Sequence, residues 1–377
     1  MTADTRAAAS AGADAQEAPA PPRSVLLARP GAVEAEGADA GVAWHYGDPV
    51  AEQRALAAGR GFVDLSHRGV VTVTGPDRLG WLHSTTTQDL RALPPHRSTE
   101  SLLLSPHGHV EHALHVVDDG ETTWITVEPG RAPALAAWLH SMRFMLRVEV
   151  ADVTGSWAVL GQPLRAGSAP GEPLAWCDPW PGEPPLAEGG TADTASYAAV
   201  RTDEHPGAER AWREVLVPRP GLEAHVGDAP LAGTWAAEAL RIAAWRPRAG
   251  FETDHRTIPH EVDWLRTAVH LHKGCYRGQE TVARVHNLGR PPRRLVFLHL
   301  DGSGHDLPER GDDVLLGEKR VGFVTSAARH HELGPIGLAL LKRSTPADAP
   351  LVVVGGAGGD GVPGRRIAAA QELVVAP

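Results

Sequence analysis

Cysteine and lysine are both scarce in this chain of 377 residues. It has two cysteines, Cys177 and Cys275, and only three of its 36 basic Lys and Arg residues are lysines. Two cysteines 98 positions apart argue against a disulfide framework and suit a reducing compartment, so we expect a cytoplasmic protein. The same scarcity makes one stretch conspicuous, because Lys273 stands two positions before Cys275, which has Gly274 and Gly278 on either side.

Long apolar runs are missing as well. No stretch approaches the roughly 18 uninterrupted apolar residues of a membrane span, and the first residues have neither the basic start nor the apolar run of a secretory signal. The formal net charge is −10 and the sequence pI is ≈ 6.0. An acidic chain disfavours a broad phosphate-binding face, so we expect no membrane partner and no direct binding to nucleic acid.

Composition divides the chain into three regions. Residues 1–38 carry few bulky apolar side chains and are predicted to be a disordered tail. Residues 39–289 alternate helical and strand patterns, interrupted by a predicted Pro- and Gly-rich loop at about 162–196 that contains Cys177. From 290 to 377, short extended runs separated by turns predict a small antiparallel β-barrel.

The stretch KGCYRGQE, from Lys273 to Glu280, carries the candidate chemistry. Gly274 and Gly278 let the backbone turn sharply beside Cys275, and the pattern predicts a helix from Gln279 to Asn287 that stops at Gly289. The thiol would then lie just before a helix N-terminus, where exposed amides favour a thiolate.

Charged neighbours of the thiol act in both directions. Lys273 and Arg277 would support a thiolate, while Glu280 in the first turn opposes it. Glu280 and Arg284 stand four apart and are predicted to form an ion pair. The alternative interpretation is an inert cysteine buried in a tight turn.

A single sulfur limits the metal chemistry. An iron–sulfur cluster normally takes four cysteine ligands, so any cluster on Cys275 would be shared transiently with another molecule. His270 and His272 precede the cysteine in an H-x-H-x-x-C spacing. No fourth ligand for zinc is evident, and we predict no resident metal site.

The motif resembles a known family. KGCYRGQE, followed by VAR at Val282 to Arg284, is similar to the signature of the YgfZ folate-binding family, in which Tyr276 and Gln279 belong to the motif. That family is related to the T-protein, the aminomethyltransferase of the glycine cleavage system. The resemblance extends from about Val42 to Leu373 and includes GFVDLSHRGVVTVTGPDR, ETDHRTIPHEVDWL, RVGFVTSAA and IGLALLKR.

The resemblance implies an α+β fold: a three-lobed ring of two interleaved mixed α/β lobes and a C-terminal antiparallel β-barrel. It implies tetrahydrofolate, or a derivative, in a central funnel. It also implies a role in assembling or repairing iron–sulfur proteins, with effects on tRNA thiomodification. The expected partners are folate and iron–sulfur client or carrier proteins, and the expected catalytic residues are Cys275 and Lys273.

Two positions depart from the T-protein pattern. His112 aligns with the aspartate that orients one-carbon transfer, and Arg248 aligns with a glutamate that holds the pterin. A carboxylate accepts hydrogen bonds from the pterin N–H edge, whereas arginine only donates them. The resemblance therefore places His112, Arg248, Asp254 and Glu261 at the folate site but argues against aminomethyl transfer.

Three functions follow from these observations. The first is a folate-binding accessory protein for iron–sulfur cluster assembly or repair that uses Cys275. The second is a tetrahydrofolate-dependent aminomethyltransferase, in which Cys275 would be dispensable. The third is a folate sensor without chemistry, which needs the funnel but not the sulfur.

Overall fold

A computed structural model describes residues 23–164, 174–182, 196–304, 306–355 and 365–377. Much of the predicted tail and of the predicted Pro- and Gly-rich loop lies outside these residues. The tail prediction is wrong for residues 24–38, because they contain a 3-10 helix, Val25–Ala28, and a short strand, Val33–Glu34. Leu26 is fully buried there and anchors the segment to the rest of the protein.

The described residues contain seven α-helices and eighteen β-strands. The helices are α1 (Pro49–Ala57), α2 (Arg78–Thr85), α3 (Ala132–Met142), α4 (Leu222–Val226), α5 (Thr234–Ala243), α6 (Leu265–Ala268) and α7 (Gln279–Leu288). The strands before α4 are β1 (Val33–Glu34), β2 (Ala43–His45), β3 (Phe62–Asp64), β4 (Gly69–Thr74), β5 (Arg97–Leu104), β6 (Val110–Asp118), β7 (Thr122–Val127), β8 (Glu149–Asp152), β9 (Trp157–Pro163), β10 (Ala175–Cys177) and β11 (Trp212–Pro218). The later strands are β12 (Leu231–Ala232), β13 (Arg293–Leu300), β14 (Asp313–Leu316), β15 (Lys319–His330), β16 (Gly334–Lys342), β17 (Leu351–Gly355) and β18 (Arg365–Leu373).

The first lobe is an antiparallel sheet in the order β5-β6-β7-β4-β8. β4 has the sequence GVVTVT, whose β-branched residues favour an extended backbone. Helices α2 and α3 cover one face and bury apolar side chains such as Leu82 and Leu135 against it. Asp77 precedes α2 but makes no capping hydrogen bond. Its carboxylate instead accepts from Arg147, beyond α3.

The second lobe is a sheet in the order β10-β11-β9-β3-β12. Its strands come from both sides of the first lobe in sequence, so the chain passes between the two lobes. Cys177 lies on the edge strand β10, where its N–H donates to Ser98 Oγ at 2.9 Å. Burial raises the pKa of this thiol, which makes it a poor nucleophile.

The third lobe is a closed barrel with the strand order β13-β16-β15-β14-β17-β18, and every neighbouring pair is antiparallel. Its interior is filled by aliphatic side chains such as Leu298, Val324 and Val353. A closed sheet leaves no free strand edges. The predicted C-terminal antiparallel barrel is confirmed.

One apolar cluster joins the first lobe, α5 and the barrel. It combines Leu102 of the first lobe, Ile242 of α5, Trp264, Tyr276 of the cysteine motif and Phe297 of the barrel. The cysteine motif is therefore built into the junction of the lobes. Among the described residues, no helix is both long and apolar enough to cross a bilayer.

Candidate functional site

A cavity of ≈ 580 Å³ lies where the first lobe, the segment after α5 and the barrel meet. This volume falls in the range of about 300–1,000 Å³ that is typical of small-molecule sites. The residues that line it are Val110, Glu111, His112, Ala113, Val127, Glu128, Arg131, Ala249, Gly250, Thr253, Asp254, His255 and Arg310.

His112 is one of the predicted site residues that line the cavity. It lies on β6, and burial, helped by the nearby charge of Arg131, lowers its pKa to about 4. The imidazole is therefore neutral near pH 7, and it offers one donor and one acceptor. It cannot supply the negative charge of an aspartate.

Asp254 also lines the cavity, but its charge is already matched. Arg293 of β13 donates to it from Nη1 at 2.6 Å and from Nη2 at 3.0 Å, and hydrogen bonds from Arg293 hold the pKa of Asp254 well below its usual range despite burial. The same guanidinium donates to Glu261 at 2.9 and 2.8 Å. Glu261 is buried and absent from the cavity lining, so it holds the barrel in place and does not reach a ligand there.

Arg248 does not reach the cavity either. Its guanidinium is buried and pairs with Asp39 at 2.6 Å, Glu128 at 2.9 Å and Glu238 at 3.3 Å. These carboxylates raise its pKa against the effect of burial. Arg248 instead lines two smaller cavities, one of which shares Glu128 and Ala249 with the larger one, and its contact with folate stays a prediction.

The free charges that line the cavity are positive. Its carboxylates, Glu111, Glu128 and Asp254, are each ion-paired to an arginine. Among the residues that the structure describes, Arg131 and Arg310 have no acidic partner within 4 Å, and both side chains are exposed. Neither was predicted, because no local sequence pattern distinguishes them from other surface arginines.

The cysteine motif ends in the predicted helix. Gly278 has a φ of 82° and precedes α7, which begins at Gln279 and is followed by Gly289. The positive φ requires glycine. Cys275 lies in the preceding turn, and it is exposed. The interpretation of a cysteine buried in a tight turn is therefore wrong, and the reactivity of the thiol stays a prediction.

The motif packs tightly against the β5–β6 turn. A Cβ on Gly278 would lie 2.6 Å from the carbonyl oxygen of Ser105, and a Cβ on Gly108 would lie 2.7 Å from Thr281 Cβ. The turn leads directly into β6, which carries Glu111 and His112 into the cavity. Cys275 is therefore held close to the strand that forms the cavity wall but is not part of its lining.

Lys273 is buried against the first lobe. Its Nζ donates to the carbonyl oxygens of His83, Thr86 and Gln88, with distances of 2.5 Å to Thr86 and 2.9 Å to Gln88. All three ammonium donors are used at the C-terminal end of α2. Burial lowers its pKa to about 7. Lys273 thus fixes the motif to the first lobe, and a catalytic role for it stays a prediction.

Arg277 and Glu280 differ from their predicted roles. Arg277 Nη1 donates to Glu111 Oε2 at 2.9 Å, and its guanidinium lies 5.4 Å from the ring centroid of Trp138. Within the described part of the chain, no ion pair joins Glu280 to Arg284. Of the two cations that were predicted to favour a thiolate at Cys275, Lys273 is directed to backbone carbonyls of the first lobe. Arg277 remains near the thiol, but it is ion-paired with Glu111.

Two family models match the chain. The GCVT N-terminal domain matches residues 27–161, and the glycine cleavage T-protein C-terminal barrel domain matches residues 293–369. The first match begins at residue 27, within the stretch predicted as a tail. The second coincides with the barrel strands.

Curated relatives include aminomethyltransferases. Those of Moorella thermoacetica and Rubrobacter xylanophilus are each 29% identical, over 80% of this chain and 83% and 81% of their own lengths. A chloroplastic protein of Arabidopsis thaliana, named only as a transferase, is also similar. It is 26% identical over 78% of this chain and 68% of its own length.

A solved structure shares the fold. The glycine cleavage system aminomethyltransferase T from Bartonella henselae superposes with a TM-score of 0.69 at 19% identity, covering 93% of this chain and 95% of that chain. The predicted three-lobed, T-protein-like α+β architecture is confirmed.

Proposed function

Because the chain carries the N-terminal domain and the C-terminal barrel domain of the glycine cleavage T-protein family, we propose that it binds a reduced folate without transferring aminomethyl groups. We further propose that the exposed thiol of Cys275 serves the assembly or repair of iron–sulfur proteins. The observation that carries the proposal is the charge pattern of the cavity, in which every lining carboxylate is paired with an arginine.

The cavity residues fit a folate. Arg131 and Arg310 are free cations that can pair with the carboxylates of its glutamyl tail. The neutral imidazole of His112 can exchange one hydrogen bond with a pterin, and Val110, Val127 and Ala249 supply apolar wall. Tetrahydrofolate, when bound, would supply the protein with a carrier of one-carbon units.

Aminomethyl transfer is disfavoured by the same residues. A carboxylate that positions a transferring group must be free to accept a proton or a hydrogen bond. Asp254 is held by Arg293, and Glu128 is held by Arg248. The histidine at position 112 carries no charge near pH 7.

The thiol has properties suited to cargo handling. Cys275 is exposed, so it can meet a large partner. A thiolate is a ligand for iron, and one cysteine cannot hold a cluster alone. The cluster is therefore treated as substrate, shared with a client protein that supplies the remaining ligands.

Anaerobic purification tests the proposal. The wild-type protein, Cys275→Ser and the control Cys177→Ser would be expressed in cells that lack the endogenous gene, and bound folate, iron and sulfide would be measured. We expect folate in all three proteins, and loss of iron–sulfur enzyme activity in cells only with Cys275→Ser. Full restoration of that activity by Cys275→Ser would remove the thiol role and leave the folate sensor.

The second candidate is a true aminomethyltransferase, which the names of the 29% identical relatives favour. It would release ammonia from an aminomethylated lipoyl carrier protein in the presence of tetrahydrofolate, and Cys275→Ser would be fully active. We expect no turnover above background. Measurable turnover would replace the leading proposal.

A further inference from the structure

An apolar loop projects from the first lobe where α3 ends. Four of its side chains are exposed: Met142 by 48%, Phe144 by 89%, Met145 by 84% and Leu146 by 41%. They form an unbroken stretch apart from Arg143. A contiguous group of exposed large apolar residues is uncommon on a soluble protein and marks an interaction site. We call residues 142–146 the Phe144 loop.

The loop is held in one conformation. Leu146 N donates to the carbonyl oxygen of Arg143 at 2.9 Å and closes a turn. Arg147, immediately after it, donates to the Asp77 carboxylate from its backbone N at 2.9 Å and from Nη2 at 2.8 Å. Phe144 has a φ of 43°, which is costly for a bulky residue. The fold thus maintains a strained backbone that leaves an aromatic ring in solvent.

The loop is continuous with the face that carries the exposed Cys275. Trp138 lies one helical turn before Met142 on α3, so both project from the same side of the helix. Arg277, two residues after Cys275, lies over the Trp138 ring. A partner that covers the Phe144 loop would therefore extend toward the thiol along this row of side chains.

The loop itself contains one arginine without an acidic partner in the described part of the chain. Arg143 has no acidic partner among the described residues, and the carboxylates near Arg147 and Arg277 are already paired with them. A protein groove with an acidic rim would pair with Arg143. An anionic bilayer is an extended surface, so it would interact with the charge of the whole protein. That net charge is −10, and the bilayer would repel it.

We propose that the Phe144 loop is the docking site for an iron–sulfur protein that presents an apolar groove rimmed by carboxylates, so that its cluster meets Cys275. This inference rests on the proposed function. Four side chains bury too little area for a permanent complex of about 1,600 Å². The contact is therefore transient. A transient contact suits a protein that must release one client before it meets the next.

The double substitution Phe144→Ser/Met145→Ser tests the proposal, with Arg143→Glu as a second variant. The matched control is Val33→Ser/Leu333→Ser, which removes side chains exposed by 48% and 47% elsewhere on the surface. Each protein would be produced in cells that lack the endogenous gene, and aconitase activity would report on iron–sulfur clusters. The purified proteins would be compared for melting temperature and for binding of 5-formyltetrahydrofolate.

We expect the double variant to lower restored aconitase activity at least about fivefold, with Arg143→Glu intermediate and the control unchanged. Melting temperature and folate affinity should match the wild type. Full restoration by the double variant would overturn the docking proposal alone. Failure of the wild-type protein to restore aconitase would overturn the proposed function and the docking proposal with it.

Two further outcomes would reassign the loop. Sedimentation of the wild-type protein, but not of the double variant, with phosphatidylglycerol-containing vesicles would show a membrane contact and overturn the proposal. A wild-type dimer that becomes monomeric in the double variant, measured by analytical ultracentrifugation, would show a contact between two copies and overturn it as well.

Discussion

The guanidinium of Arg248 is enclosed by Asp39, Glu128 and Glu238, and it also lies over the ring of Phe251. It neutralises carboxylates that arrive from the N-terminal segment, the first lobe and α5. An arginine suits this position because its planar group can pair with several carboxylates at once. One residue thus connects three parts of the chain.

Replacing Arg248 should therefore damage the fold more than the ligand site. Arg248→Met removes a cation shared by three carboxylates and leaves Asp39 with His67 as its remaining ion-pair partner among the described residues, so it should cost about 3–5 kcal/mol of unfolding free energy. Arg248→Glu, which restores the T-protein residue type, should cost more because it adds a fourth negative charge. Urea denaturation would measure both.

The control for this prediction is Arg310→Met. Arg310 lines the cavity but is exposed and has no acidic partner among the described residues, so its loss should change stability by less than about 1 kcal/mol while weakening folate binding. Equal destabilisation by the two methionine variants would contradict the role assigned to Arg248.

The sequence alone could single out residues such as Lys273 as candidates for the site. It could not show which groups each residue contacts. The scarcity of lysine singled out Lys273, yet its acceptors lie between 185 and 190 positions earlier in the chain. Asp39 stands 209 positions before Arg248. In the sequence it directly follows the predicted tail, where no pattern gives it a role. Ion pairs at such separations depend on how the lobes pack, which no local pattern encodes.

Helix α7 and the β5–β6 turn form the element that presents Cys275. Local signals sufficed to predict this helix, because glycines bound it at Gly278 and Gly289 and prolines follow it. The contact of the helix start with the β5–β6 turn was not predicted. It is this contact that keeps the cysteine turn beside the cavity wall.

The two glycines that flank Cys275 allow a matched test of that contact. Gly278→Ala combines a positive φ with a clash against Ser105, and we expect a loss of about 2–4 kcal/mol of unfolding free energy. A Cβ on Gly274 would meet nothing within 4 Å, so Gly274→Ala should be close to neutral. Thermal denaturation and the rate of Cys275 alkylation would be measured for both; a neutral Gly278→Ala would show that the packing is dispensable.

At the scale of the whole molecule, histidine burial sets the response to acid. Burial lowers the pKa of several histidines to about 4 or below: His83, His112, His205 and His260. Because the native pKa lies below the unfolded value of about 6.5, the unfolded chain binds more protons between pH 4 and 6.5. Their stabilising effect is complete above pH 6.5 and is lost as the pH falls toward 4.

We therefore expect the urea midpoint to fall steeply between pH 6.5 and 4.5. A histidine buried to this degree contributes up to about 2–3 kcal/mol to the change. His260→Phe should flatten the pH dependence, whereas His107→Gln, at an exposed position, should leave it unchanged. A midpoint that stays constant from pH 7.5 to 4.5 would show that these histidines bind protons as readily in the native protein as in the unfolded chain.

The ion cluster around Arg248 also limits how this protein can be re-engineered. A pterin-binding glutamate cannot be introduced at this position by itself, because Asp39, Glu128 and Glu238 would then repel it and one another. A workable series of substitutions must first remove acidic side chains, and Asp39 is the natural starting point because, among the described residues, Glu128 and Glu238 each keep a second arginine partner whereas Asp39 does not. Laboratory selection for transferase activity should therefore yield changes at Asp39 before any change at position 248.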